Sequence, residues 1–172
     1  MIDAKLLTAA KRLLDLCRKR GLRIATAESC TGGLVAGVLT EIAGASDVVE
    51  CGFVVYSNEA KESMLGVPAS TLKRHGAVSA ETAIAMAAGA LKNSEADISV
   101  AITGIAGPGG GTKQKPVGLV HFAAASHSGQ HIARRRLYGK IGRRRVRERS
   151  VAEALQLLEL VARADGQAKK KS

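Results

Sequence analysis

Ala27-Glu28-Ser29-Cys30-Thr31-Gly32-Gly33 places a hydroxyl, a thiol and a second hydroxyl in succession, followed by two glycines. Leu22 to Thr26 reads as a short strand, and Leu34 to Thr40 carries apolar side chains at helical spacing. The pattern predicts a strand-to-helix turn, a good place for a nucleophile. The first N–H groups of a helix lack intrahelical partners, so here they are expected to point outward and favour developing negative charge. Gly32 and Gly33 admit close approach of a ligand or a neighbouring backbone. A structural reading competes with this one: a helix start capped by Ser29 or Thr31.

A serine nucleophile needs a base. His75, His121, His127 and His131 lie in loops or β-rich segments without ligand-like spacing, and none is near Ser29 in sequence. A triad can draw on distant segments, yet each histidine reads more simply as structural or solvated. Lys61 is the other choice. A Ser–Lys pair works when burial lowers the lysine pKa from about 10.4 towards about 7–8, so that free amine is available. Tyr56 could pass the proton or anchor a substrate. Taken alone, Lys61 reads as a solvated helix residue.

Glycine-containing loops follow two expected strands, after Thr26 and after Thr103, and Tyr56-Ser57-Asn58-Glu59-Ala60-Lys61 marks a third strand-to-helix junction. Ligands of open α/β sheets bind beyond the carboxyl ends of strands, so these segments could share one crevice. The loop Gly104-Ile105-Ala106-Gly107-Pro108-Gly109-Gly110-Gly111 lacks the Lys-Ser/Thr ending of a P-loop, and neither loop matches GxGxxG. A nucleoside triphosphate site is disfavoured. Cys17, Cys30 and Cys51 are odd in number and show no CxxC spacing, which indicates reduced thiols in a cytoplasmic protein and no zinc site. No metal or cofactor is expected.

The elements that must position these residues follow from periodicity and caps. Asp3 caps a helix to about Lys19, ended by Gly21. Val48 to Tyr56 is β-rich, and Ser57-Asn58 caps a helix from Glu59 that Gly66 and Pro68 stop. A short helical turn spans Ala69 to Arg74, and Ser79 caps an Ala-rich helix to about Lys92. Asp97 to Thr103 is a strand, and Val117 to Ala125 with His131 to Leu137 forms a hairpin. A last helix spans roughly Arg144 to Arg163. Strands alternating with helices, plus one hairpin, give a single-domain layered α/β/α fold with a mixed sheet. The domain is expected over residues 1–164, with 165–172 a disordered lysine-rich tail.

Composition narrows the function classes. The 172 residues suit one domain. Apolar residues reach 46%, but no apolar run is long enough to span a bilayer, and Met1 to Arg20 reads as an amphipathic helix, so no signal peptide is expected there. Aromatics are only 2%, which argues against base-stacking platforms. The formal charge is +11, and nine of the 26 basic residues fall between Arg134 and Arg149. Such a field attracts phosphorylated small molecules, nucleic acid or acidic surfaces without choosing among them.

Together the motifs carry a resemblance. Ala27 to Gly33, Gly52-Phe53-Val54-Val55-Tyr56-Ser57-Asn58-Glu59-Ala60-Lys61, His75-Gly76-Ala77-Val78-Ser79, Thr103 to Gly110 and Lys115-Pro116-Val117-Gly118 closely resemble the CinA C-terminal domain family. The resemblance runs from the first helix to about Leu160, and the domain is expected to stand alone, without the additional N-terminal domain of longer members. It implies a layered α/β/α domain, often oligomeric, that hydrolyses the carboxamide of nicotinamide mononucleotide to nicotinate mononucleotide and ammonia. By the same resemblance Ser29 is the nucleophile, assisted by Lys61 and Tyr56. Thr31, Gly32, Gly33, Asn58, Thr103, Gly104, Arg143 and Arg147 would line the substrate site. Arg143 and Arg147 fit the substrate phosphate. One stretch departs from the family pattern of aromatic-x-Gly-Asp-Arg: Tyr138-Gly139-Lys140-Ile141-Gly142-Arg143 has no acid. Two other readings stand beside the amidohydrolase. One is a nucleic-acid-interacting protein linked to competence or DNA damage; the other is a non-catalytic nucleotide binder on the same fold.

Overall fold

The computed structural model describes residues 2–168. Six helices and five strands follow in the order α1 (Ala4–Arg20), β1 (Ile24–Glu28), α2 (Leu34–Thr40), β2 (Val49–Val54), α3 (Asn58–Leu65), α4 (Ala69–His75), α5 (Ala80–Lys92), β3 (Ile98–Gly104), β4 (Leu119–Ser126), β5 (His131–Leu137) and α6 (Arg143–Ala168). The sheet order is β2-β1-β3-β4-β5. β1 runs parallel to β2 and β3, while β4 and β5 are antiparallel. This is the expected layered α/β/α domain with a mixed sheet.

Strand alternation splits the interior into two cores. Ile24, Ile98, Val100, Ile102, Val120 and Phe122 pack with α1, α2 and α6. Ala25, Ala27, Ala101 and Ala123 pack with α3, α4 and α5. β1 is buried along its whole length because it lies inside the sheet with helices on both faces. Its small alanines let the Ala-rich α5 approach closely.

Caps end the helices where the sequence places them. Asp3, Ser57 and Ser79 accept from Lys5, Ala60 and Thr82 N–H groups, and Gly21 and Gly66 take left-handed C-cap geometry. Several boundaries differ from expectation: β2 stops at Val54 instead of Tyr56, and β4 starts at Leu119 instead of Val117. Two other differences lie in β1 and α6. β1 begins and ends two residues later than Leu22–Thr26, so Glu28 is its last residue and Ser29 the first beyond it. α6 continues past Arg163 to Ala168, with Asp165 only 2% exposed, so the helix crosses the expected boundary at 164. The lysines at 169–171 lie outside the described residues. Among the described residues no helix is long and apolar enough to cross a membrane.

Candidate active site

The pleat decides which side chains meet at the end of β1. Glu28 shares a face with Ile24, towards α2 and α6; Ser29, one residue on, shares the opposite face with Ala25 and Ala27. α3 lies on that opposite face, and its Lys61 is only 1% exposed. The Lys61 Nζ lies 3.2 Å from Ser29 Oγ. It also donates to the carbonyls of Val55 at 2.9 Å, Tyr56 at 3.5 Å and Ser57 at 3.4 Å. These four acceptors are neutral oxygens. No carboxylate pairs with the amine among the described residues, and burial pushes its pKa below the ordinary lysine value. Burial drives the neighbouring Cys30 thiol the other way, up to about 12, so that sulfur stays protonated.

The start of α2 corrects the sequence expectation. Its N–H groups do not point outward: Glu28 accepts from Gly33 at 3.0 Å, Val35 at 3.1 Å and Ala36 at 2.9 Å. The Leu34 N–H reaches the Thr31 carbonyl at 3.4 Å. Neither Ser29 nor Thr31 is the cap. The N-cap is Gly33, at φ 90°, and a carboxylate from the preceding strand does the capping instead. Gly32 and Gly33 both have positive φ, which an L side chain rarely adopts, so the two glycines make the turn that brings α2 back over Glu28. Sequence reasoning passed over Glu28. Its signal was a helix start without a Ser, Thr, Asp or Asn cap, five residues after an acid at a strand end.

The remaining residues sort by contact. The Tyr56 side chain is 62% exposed, and its hydroxyl accepts from Arg143 Nη2 at 3.2 Å. Its carbonyl, and not its hydroxyl, faces the Lys61 amine. Arg143 also donates to the Gly107 carbonyl at 3.1 Å, which ties the start of α6 to the loop after β3. Arg147 donates to the Thr31 carbonyl at 2.8 Å, while its buried Nε and the buried Thr31 Oγ1 have no partner among the described residues. Thr103 is buried, and its hydroxyl donates to the Ala77 carbonyl at 2.7 Å, fixing the loop before α5. A side chain on Gly104 would come within 2.8 Å of the Leu119 carbonyl, so β4 demands glycine there. Asn58 is exposed in the first turn of α3. Ser29 and Lys61 thus meet directly, with Arg143, Arg147 and Tyr56 forming a separate rim. Among the described residues no three His, Cys, Asp or Glu side chains cluster as a metal site requires.

The family model of the CinA C-terminal domain matches residues 6–162. The chain belongs to this family. Nicotinamide-nucleotide amidohydrolase PncC of Escherichia coli strain K12 is 49% identical over 158 residues, 92% of this chain and 95% of that protein. A CinA-like protein of Anaeromyxobacter dehalogenans strain 2CP-C is 54% identical over 144 residues, 84% of this chain but 35% of that longer protein. The crystal structure of competence/damage inducible protein CihA from Agrobacterium tumefaciens superposes with a TM-score of 0.92 at 50% identity, covering 94% of this chain and 98% of that one. Gly139 and Gly142 carry positive φ, and α6 begins directly at Arg143.

Proposed function

We propose that this chain is a nicotinamide-nucleotide amidohydrolase, hydrolysing the carboxamide of nicotinamide mononucleotide to nicotinate mononucleotide and ammonia. The observation that carries the reading is the buried 3.2 Å contact between Ser29 Oγ and Lys61 Nζ. The identity with PncC supports the substrate.

Ser29 attacks the carboxamide carbon while neutral Lys61 takes its proton. The protonated amine then passes that proton to the departing nitrogen, and ammonia leaves a nicotinoyl ester on Ser29. Lys61, neutral again, takes a proton from water, whose attack on the ester releases nicotinate mononucleotide and restores the serine. One amide and one water are consumed, and one acid and one ammonia are formed. The carbonyl oxygen becomes an anion in both tetrahedral intermediates and needs N–H donors. Glu28 occupies the start of α2, which leaves the Cys30 and Thr31 N–H groups of the turn for this task. Arg143 and Arg147 are assigned to the substrate phosphate and Tyr56 to orienting Arg143. Gly32, Gly33, Thr103 and Gly104 shape the floor.

The reading includes a cytoplasmic homo-oligomer, supported by three free cysteines and by the family resemblance. Ammonia release from nicotinamide mononucleotide, with free nicotinamide as control, tests the assignment. Release from the mononucleotide, unchanged after prolonged chelation, is expected. No release would overturn the activity, and a loss restored by one divalent ion would overturn the metal-free mechanism.

A further inference from the structure

Three arginines in succession, Arg134-Arg135-Arg136, occupy the edge strand β5. Alternation sends the first and third to the α6 face, where both bind Glu153, at 2.6 Å from Arg134 and 2.8 Å from Arg136. Arg135 must point to the other face, and there it has no hydrogen bond or ion pair among the described residues. The register sets it directly opposite His121 of β4, which in turn pairs with Thr103 of β3. His121 Nδ1 is buried without a partner among the described residues. Both side chains line a cavity of about 360 Å³, together with His75, Ser79, Glu81 and Lys115.

The charges in this cavity are arranged for an anion. Lys115 is held at its edge by donating to the His75 carbonyl at 2.6 Å. The one carboxylate in the lining, Glu81, is half exposed and faces His75 at 3.5 Å. An arginine, a lysine and an imidazole therefore share a pocket in which, among the described residues, no protein group engages the solvent-exposed arginine fork or the buried ring nitrogen. Planar arginine with a nearby lysine and imidazole matches tetrahedral phosphoryl oxygens in geometry and charge. None of these residues belongs to the Ser29–Lys61 pair or to the Arg143–Arg147 rim. We propose that the cavity between β4, β5 and the start of α5 binds a phosphoryl anion through Arg135, Lys115 and His121.

The pocket also couples binding to protonation. Burial, then Arg135 and Lys115, hold the His121 pKa below its ordinary value, with Glu81 opposing weakly; His75 and Thr103 complete the surroundings. An anion reverses the sign of the local field, so binding should draw a proton onto His121 and tighten as pH falls.

Inorganic pyrophosphate is the probe, read through the imidazole resonance of His121 in the full chain and assigned with His121→Gln. The expected results are a raised His121 pKa on titration and affinity that strengthens towards acid pH. Arg135→Ala should weaken binding about tenfold or more, the worth of one charge-assisted hydrogen bond. Arg135 is exposed on an edge strand, and an unchanged Tm certifies the variant's fold. Kinetics then identify the anion's source, and only this arm rests on the proposed activity. A raised KM for nicotinamide mononucleotide, with the unphosphorylated riboside unaffected, makes the anion the substrate's own phosphate. Unchanged kinetics make it a separate phosphorylated ligand. No pyrophosphate-dependent shift, the same shift with chloride at equal ionic strength, or equal binding by Arg135→Ala overturns the site.

Discussion

A lysine beside a serine acts as base only as free amine, and burial lowers the Lys61 pKa towards that condition, with no carboxylate partner among the described residues. The pH dependence of kcat/KM should rise through one ionisation below that of an ordinary lysine. Lys61→Arg keeps the charge but cannot release its proton at accessible pH, so it should be as inactive as Lys61→Ala. Retained activity in Lys61→Arg, with an unchanged profile, would reduce Lys61 to a fixed cation. The same shift acts on stability. Between the lowered folded pKa and the ordinary value, the unfolded chain holds the proton that the folded chain has released. Stability therefore increases with pH across that window, and Lys61→Met should flatten the slope in urea unfolding. Ser29→Ala should cost roughly a thousandfold or more in turnover. Cys30→Ala should retain most activity, because the thiol sits far above neutrality; the reverse pair of results would move the chemistry to sulfur. At this scale sequence spacing alone did not bring Ser29 to Lys61. Thirty-two positions separate them, and their meeting depends on the pleat of β1 and the placement of α3 on one face. Motif resemblance carried that information. It did not carry the direction of the Tyr56 side chain, which turns towards Arg143.

α2 has only seven residues, too few to hold itself together in water, and no capping side chain at its own start. Its attachment to β1 comes from the Glu28 carboxylate, which accepts from two of its N–H groups, Val35 and Ala36, and from that of its N-cap, Gly33. Glu28→Gln replaces one acceptor oxygen by a donor facing N–H groups. We expect a loss of about 2 kcal/mol in urea unfolding and a fall in kcat larger than any change in KM. Stability and turnover both at wild-type levels would show that α2 holds its place without the carboxylate. Most elements were legible because caps and glycine stops are local chemistry: Asp3, Ser57, Ser79, Gly21 and Gly66 all act where the sequence puts them. Glu28 was not legible because its partners belong to the next element. The end of α6 was missed because its composition turns polar after Arg163, while Asp165 still packs inside.

Across the whole molecule the net charge is +11, and several of the cations that carry it are tied into the fold. Within the basic stretch, Arg134 and Arg136 share Glu153, Arg144 holds Glu148, and Arg143 and Arg147 hold backbone carbonyls. Truncation after Ala168 removes the three terminal lysines and should leave turnover intact, while any DNA retention at low salt should weaken. Truncation after Ala164 also removes buried Asp165, so its Tm should fall. Collapsed turnover in the shorter cut alone would give the end of α6 a part in the site. The tie from Arg147 to Thr31 spans 116 residues, against 32 for Ser29 and Lys61. Closing the longer loop costs more chain entropy and is reached only after more of the sheet exists. Ser29 and Lys61 should therefore come together first, with the arginine rim arriving when α6 docks. In a refolding experiment, truncating Val151 in α6 should speed unfolding and hardly slow folding, whereas Ala27→Gly in β1 should slow folding. Time is the last dimension of this fold: a chain caught before α6 docks would hold the proposed base and nucleophile without the arginines assigned to the substrate phosphate.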